Sequence, residues 1–282
     1  MNKYENKTFI GERALYNINN SKINNSIFKD GESPLKETKN ISLENCQFEW
    51  KYPLWYSKHI KCENIKFLET ARSGIWYTND IEIINSIIDA PKTFRRAKNI
   101  TLKNVTLNNA LETFWTCKYI QLVDITAKGD YFGMNSSNIA INNFKLDGNY
   151  AFDGGKNIYI RNATLNSKDS FWNCKNVTVC DSVINGEYIG WNSKDITFIN
   201  CKITSHQGLC YMKNLKMINC ELIDTDLCFE LCENVDAEII SHVTSIKNPI
   251  SGKIHAKSVG ELILDENMID RKKTKIIIDE KV

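Results

Sequence analysis

Five tryptophans of this 282-residue chain, Trp55, Trp76, Trp115, Trp172 and Trp191, stand one, two or three steps of about 19 residues apart. Arg95 and Asp153 occupy the same phase of that spacing. The residue before each is large and apolar (Leu54, Ile75, Phe94, Phe114, Phe152, Phe171) or, before Trp191, Gly190. In an extended segment neighbours point to opposite sides, so apolar side chains turned inward leave the Trp/Arg column facing out. A row of outward tryptophans on a globular protein marks an interaction surface. Flat indole faces stack well on the C–H faces of sugar rings, so Trp55, Trp76, Arg95, Trp115, Trp172 and Trp191 are candidate ligand-binding residues. The alternative places the rings in the core or under a covering segment. The Gly133 and Gly190 repeats, where apolar residues flank the glycine, also admit the opposite register, with Trp191 turned in.

Three carboxylates lie close to this column, Asp153, Asp169 and Glu187, on three successive repeats. Glycoside cleavage by an acid/base pair needs two carboxyl groups roughly 5–10 Å apart. Successive coils of stacked strands are about 5 Å apart, so the spacing permits such a pair. These three are the catalytic candidates, in a glycoside hydrolase-like or polysaccharide lyase-like role. Arg95 beside a uronate carboxylate would suit the lyase version. Against this stands the ordinary behaviour of charged residues at turns, which is to be solvated.

The elements that position these residues come from an internal repeat. Lys39-Asn40-Ile41-Ser42-Leu43-Glu44-Asn45 returns as Lys98-Asn99-Ile100-Thr101-Leu102-Lys103-Asn104, and as Lys156-Asn157-Ile158-Tyr159-Ile160-Arg161-Asn162. Its last residue recurs at positions 25, 45, 64, 85, 104, 124, 143, 162, 181, 200 and 219, always Asn except for Asp124 and Asp181. The Ile-x-Leu before it alternates with strand period. An apolar residue follows three positions later, and an aromatic stretch closes each unit. Three short strands per repeat and no helical segment predict a right-handed parallel β-helix of about 11 coils with about 19 residues per coil. Leucine-rich and hexapeptide solenoids require other spacings. Asn suits the corners because it tolerates left-handed backbone geometry, and its amides stacked along the axis can form an asparagine ladder. Residues 1–20 are read as an N-terminal cap, 21–232 as the coils and 233–282 as C-terminal capping strands, all in one domain.

Composition narrows the function classes. Thirty-six Lys and Arg against 34 Asp and Glu give a formal charge of +2, which offers no basis for a nucleic-acid or membrane-surface partner. Neither an apolar leader at Met1–Lys7 nor a run of about 18 apolar residues is visible, so a cytoplasmic protein is expected. In that compartment the ten cysteines are expected to be reduced, buried core residues. Cys46, Cys201 and Cys220 share one inward slot beside the corner Asn. No zinc spacing, phosphate loop, dinucleotide fingerprint or nucleophile triad is legible, so neither a metal nor a cofactor is expected.

The N-terminal Gly11-Glu12-Arg13-Ala14-Leu15-Tyr16, then Asp30-Gly31-Glu32-Ser33-Pro34-Leu35-Lys36-Glu37 and Tyr52-Pro53-Leu54-Trp55, followed by the coils, resembles an uncharacterised bacterial family of single-domain, pectate-lyase-like right-handed β-helix proteins. The resemblance implies the fold and no assigned activity or catalytic residue. The expectation is therefore a β-helix that binds a carbohydrate or sugar-containing ligand along an exposed aromatic strand and, if it is an enzyme, acts on it there. The rival is a non-catalytic scaffold whose aromatic face meets another protein or forms a homodimer.

Overall fold

The computed structural model describes residues 2–280, which form a right-handed parallel β-solenoid of about 15 turns, about 19 residues each. Two compact units divide it, Met1–Leu146 and Asp147–Val282. The expected count of about 11 coils is too low, because parallel pairing continues where the Asn signature fades. In the first unit Asn2–Glu5 pairs with Asn19–Asn24, and Thr8–Phe9 with Ile27–Phe28. In the second, Val235–Lys247 pairs with Gly252–Ile263, which pairs with Thr274–Ile278.

Each regular coil in either unit has two strand segments that meet at the repeated Asn or Asp. That residue adopts φ between 47° and 57° from Asn25 to Asn143 in the first unit, and between 50° and 54° from Asn162 to Asn219 in the second. The strands Lys98–Leu107 and Lys156–Asn166 run through the bend without losing their coil-to-coil partners. Corner amides bond along the axis: Asn45 to Asn25 at 3.1 Å, Asn104 to Asn85 at 2.8 Å, and, in the second unit, Asn219 to Asn200 at 2.9 Å. A second ladder stands at the other end of the first strand segment, where Asn40 donates to Asn20 and Asn176 to Asn157. These amides are exposed, so the corners depend on left-handed geometry more than on buried hydrogen bonds.

The third side of the coil is not the expected strand. Alternate residues have positive φ, as at Tyr52, Leu54 and Tyr56 or Lys92, Phe94 and Arg96, so it is a chain of turns. Their N–H groups still pair between coils, Tyr52 and Tyr56 to one neighbouring coil and Leu54 to the other. The predicted inward column holds: Leu54, Ile75, Phe94 and Phe114 in the first unit, and Phe152 and Phe171 in the second, have no exposed surface, and Leu209 and Phe229 continue it. At Gly133 and Gly190, both with φ of 77°, the preceding Phe132 and Ile189 fill the core instead. Like residues stack inside: Phe28, Phe48 and Phe67 lie with centroids 4.7 and 4.8 Å apart.

All ten cysteines are free and buried. Six of them, Cys46, Cys117, Cys174, Cys201, Cys220 and Cys232, occupy slots that Ser and Thr hold in other coils. Thr38 and Ser57 donate to the Leu35 carbonyl, and Cys117 donates from the same slot to Phe94 O at 3.3 Å. Near the corner, Cys46, Cys201 and Cys220 take the place of Ser26, Ser86 and Ser182. Burial pushes the thiols of Cys117, Cys174, Cys201 and Cys210 up to about 12.

Two measurements check this account. Asn143→Gly is expected to be close to neutral, whereas Asn143→Val should cost about 1–2 kcal/mol, because a branched side chain opposes the left-handed corner. Equal losses for the two would mean that the amide, not the backbone, sets the corner. Thiol titration of the folded protein should be slow at all ten cysteines and fast after denaturation.

Candidate functional site

The Trp/Arg column lies on the turn side of the coil, with every ring half-buried and facing outward from the core. The turn geometry lets each indole lie over the next coil and donate its N–H to a backbone carbonyl there. In the first unit Trp55 reaches Ser73 O at 2.6 Å, Trp76 reaches Lys92 O at 2.8 Å and Trp115 reaches Tyr131 O at 2.9 Å. In the second, Trp172 bonds Tyr188 O and Trp191 bonds Gln207 O at 2.9 Å. The hydrogen bond fixes ring orientation and removes a carbonyl that a turn would otherwise leave open.

The consequence is that ring faces point along the axis and are covered by one another. Trp55 and Trp76 stack at 5.0 Å and 8°. The Arg95 guanidinium lies 4.5 Å from the Trp76 ring centre and 4.6 Å from that of Trp115, filling the coil between these two tryptophans. Backbone bridges hold Trp76, Arg95 and Trp115 in register, and Glu112 pairs with Arg95 at 3.2 Å. In the second unit Trp172 and Trp191 stack at 5.7 Å and 9°, and Tyr211 closes on Trp191 edge-on at 5.1 Å. The column therefore presents ring edges to solvent, not the faces that sugar stacking needs. Beside it in the first unit Tyr56 and Tyr77 form a parallel stack at 4.7 Å, and Tyr56 is 50% exposed.

The three candidate carboxylates, all in the second unit, have unlike surroundings. Asp153 stands in the Trp column and accepts from the Asn173 amide at 2.9 Å. Glu187 pairs with Lys168 at 3.1 Å. Asp169 is 2% exposed, and its Oδ1 has no hydrogen-bond partner. Burial raises the Asp169 carboxyl above the usual range, Lys168 opposes the rise and Glu187 adds to it. The structure thus brings Asp169 and Glu187 near each other and ties Asp153 into an amide ladder.

Glu230, in the Trp phase of a later coil, is a group that the repeat alone does not single out. It is 6% exposed and is held by Lys247 at 2.9 Å, Gln207 at 3.1 Å and Tyr211 at 3.3 Å. Burial pushes its carboxyl up, but these partners outweigh it and bring the value below the usual range. Its place directly after the inward Phe229, in the Trp phase, is the signal in the sequence; the partner Lys247 comes from the next coil, outside the Asn register.

A shallow groove of about 560 Å³ lies on the strand side of the first unit. Asn40, His59, Asp80 and Asn99 form one wall and Ser42, Lys61, Glu82 and Thr101 the other. His59 and Asp80 pair at 3.2 Å. Among the described residues there is no group of three or more His, Cys, Asp or Glu arranged to hold a metal, and no helix long and apolar enough to cross a membrane.

Residues 2–277 match the family described as "Protein of unknown function (DUF3737)", and the chain belongs to that family. The pectate-lyase-like part of the sequence resemblance gains no support from this match, which carries no activity. No curated protein matches the chain. Among solved structures the chain is similar to QnrB1, a plasmid-mediated fluoroquinolone resistance protein, with 13% identity over 79% of this chain and 92% of that one, TM-score 0.22. It is similar to the surface protein and adhesin PfbA of Streptococcus pneumoniae, with 11% identity over 98% and 90%, TM-score 0.35. HetL, a pentapeptide repeat protein from the cyanobacterium Nostoc, has 8% identity over 82% and 86%, TM-score 0.21.

Two buried carboxyls should respond oppositely to pH. Asp169 favours its protonated form in the fold, so its contribution is present at low pH and lost as pH rises through its raised value. Asp169→Asn should therefore raise the melting temperature relative to wild type at pH 7, with the gain vanishing at acid pH. Glu230 favours its charged form, so its contribution is present at neutral pH and lost as pH falls through its lowered value. Glu230→Gln should lower the melting temperature at pH 7 and converge on wild type in acid. For the aromatic column, Arg95→Lys should cost about 1 kcal/mol in thermal or urea unfolding, because an ammonium cannot lie flat between two indoles.

Proposed function

We propose that the chain works by recognition and not by catalysis, as a scaffold whose turn side in the first unit meets another protein. The observation that carries this is the self-stacked Trp55–Trp76–Arg95–Trp115 ladder with Tyr56 and Tyr77 beside it. Trp, Tyr and Arg are the residues that concentrate binding energy in protein interfaces. Rings held by hydrogen bonds and stacking lose little conformational freedom on binding, which favours affinity. The candidate carboxylates support this choice, since Asp153 and Glu187 are engaged by Asn173 and Lys168.

Carbohydrate binding is the second reading, and it moves from the rings to the groove edged by Asn40, His59, Asp80 and Asn99. Amides and carboxylates on two walls suit sugar hydroxyls without any stacking face. Calorimetric titration with neutral oligosaccharides should then give heats that Asp80→Ala abolishes and Trp115→Ala leaves unchanged.

The scaffold reading is tested by placing a photo-crosslinking amino acid at position 56 and, as a control, at the exposed Tyr159 on another side. Adducts with one discrete protein are expected from position 56 and not from position 159. No adduct at 56, or the same adducts at both, overturns it.

A further inference from the structure

Many strands of the solenoid open with a lysine. In the second unit Lys156, Lys175, Lys194 and Lys213 follow one another on four successive coils, each the direct register partner of the next. Coil-to-coil spacing puts their backbones about 4.8 Å apart. All four side chains are exposed. Among the described residues only Lys213 has an ion-pair partner, Glu233 at 2.8 Å. Like charges directly opposite one another on parallel strands oppose folding. The fold does not require them, because Asn79 and Ser137 fill the same slot in the first unit and Glu233 fills it one coil beyond Lys213. A repulsive row repeated where neutral residues fit is a surface built for a ligand that neutralises it.

The flanks narrow the ligand. On one side stand Asn173 and Asn192, with the edges of Trp172 and Trp191 beyond. On the other stand Asn157, Asn176, Asp195 and Asn214. Asn176 donates to Asn157 at 2.9 Å and Asn214 to Asp195 at 2.6 Å, so the acid in this column is already paired with an amide. The row is straight, and apart from Asp195 and the terminal Glu233 the groups that border it are neutral hydrogen-bonding amides. Duplex nucleic acid carries its phosphates on a winding path that rises about 3.4 Å of helix axis per phosphate on each strand, which a straight row meets only briefly. Single-stranded nucleic acid is held by bases stacked on ring faces, and the faces of Trp172 and Trp191 are turned to each other. A chain of sugar rings with one carboxylate per ring advances by about one ring per charge, comparable to one coil, and offers hydroxyls to the amides.

We infer that the lysine row Lys156–Lys175–Lys194–Lys213 is a binding track for an acidic polysaccharide that bears one charge on every ring. It uses no residue of the aromatic face or the groove in the first unit, so it stands or falls apart from both readings above.

The test uses the full chain and soluble polyglucuronate, with uncharged cello-oligosaccharides, hyaluronate (one carboxylate for every two rings) and a single-stranded DNA oligomer as comparisons. Binding is measured by biolayer interferometry at low and high salt. Saturable, salt-sensitive binding of polyglucuronate is expected, weaker binding of hyaluronate and none of the uncharged polymer. Lys156→Gln/Lys175→Gln/Lys194→Gln should weaken binding at least tenfold and flatten its salt dependence. The control Lys128→Gln/Lys145→Gln/Lys272→Gln should bind as wild type. The melting temperature of the track variant should equal or exceed that of wild type, since repulsion is relieved, which separates lost binding from lost folding. No binding of polyglucuronate, unchanged binding by the track variant, or DNA binding as tight as that of polyglucuronate would each overturn the assignment.

Discussion

Everything in this molecule follows from in-register parallel stacking. Each residue sits about 4.8 Å from its counterpart one coil earlier, so every column must be compatible with copies of itself. Amides satisfy that condition because each can donate to one neighbour and accept from the other, as Asn64, Asn45 and Asn25 do. Phenylalanines satisfy it by stacking at the coil spacing, as Phe28, Phe48 and Phe67 do. Small hydroxyls satisfy it by donating to the backbone carbonyl of the coil before, and thiols can replace them there. Many buried cysteines in a protein without disulfides are thus a result of slot geometry, not of redox chemistry.

The same constraint turns the aromatic column from a platform into a ladder. A tryptophan isolated on a surface would expose a face; tryptophans on successive coils cover each other's faces. Where the column lacks an indole, Arg95 keeps the stack continuous because its guanidinium is flat and cationic. Charge is the case that stacking cannot satisfy. Lysine above lysine has no internal solution, and carboxylates settle according to what the adjacent coil provides. Glu230 finds Lys247, while Asp169 keeps an oxygen without a partner.

The sequence by itself determined the repeat, the parallel solenoid, the corner Asn and the inward apolar column, because these are properties of one residue type at one spacing. It also placed Trp55, Trp76, Trp115 and Trp172 on the outside correctly, since alternation around a buried Phe or Leu is local. The second amide ladder was present in the Lys-Asn-Ile phrase but less visible, as His59, Asp80 and Tyr119 interrupt it.

Tertiary structure decided what depends on ψ, ring tilt and neighbouring coils. Alternate positive φ values made the third side a chain of turns, although its apolar pattern reads as a strand. Ring orientation followed from hydrogen bonds to carbonyls 16 to 18 residues away, which no local pattern encodes. The carboxyl environments likewise depended on Lys168, Asn173 and Lys247, which are near only once the coils are stacked. Periodicity fixes which side of the backbone a group occupies, whereas the direction in which it faces is set by contacts that exist only after folding.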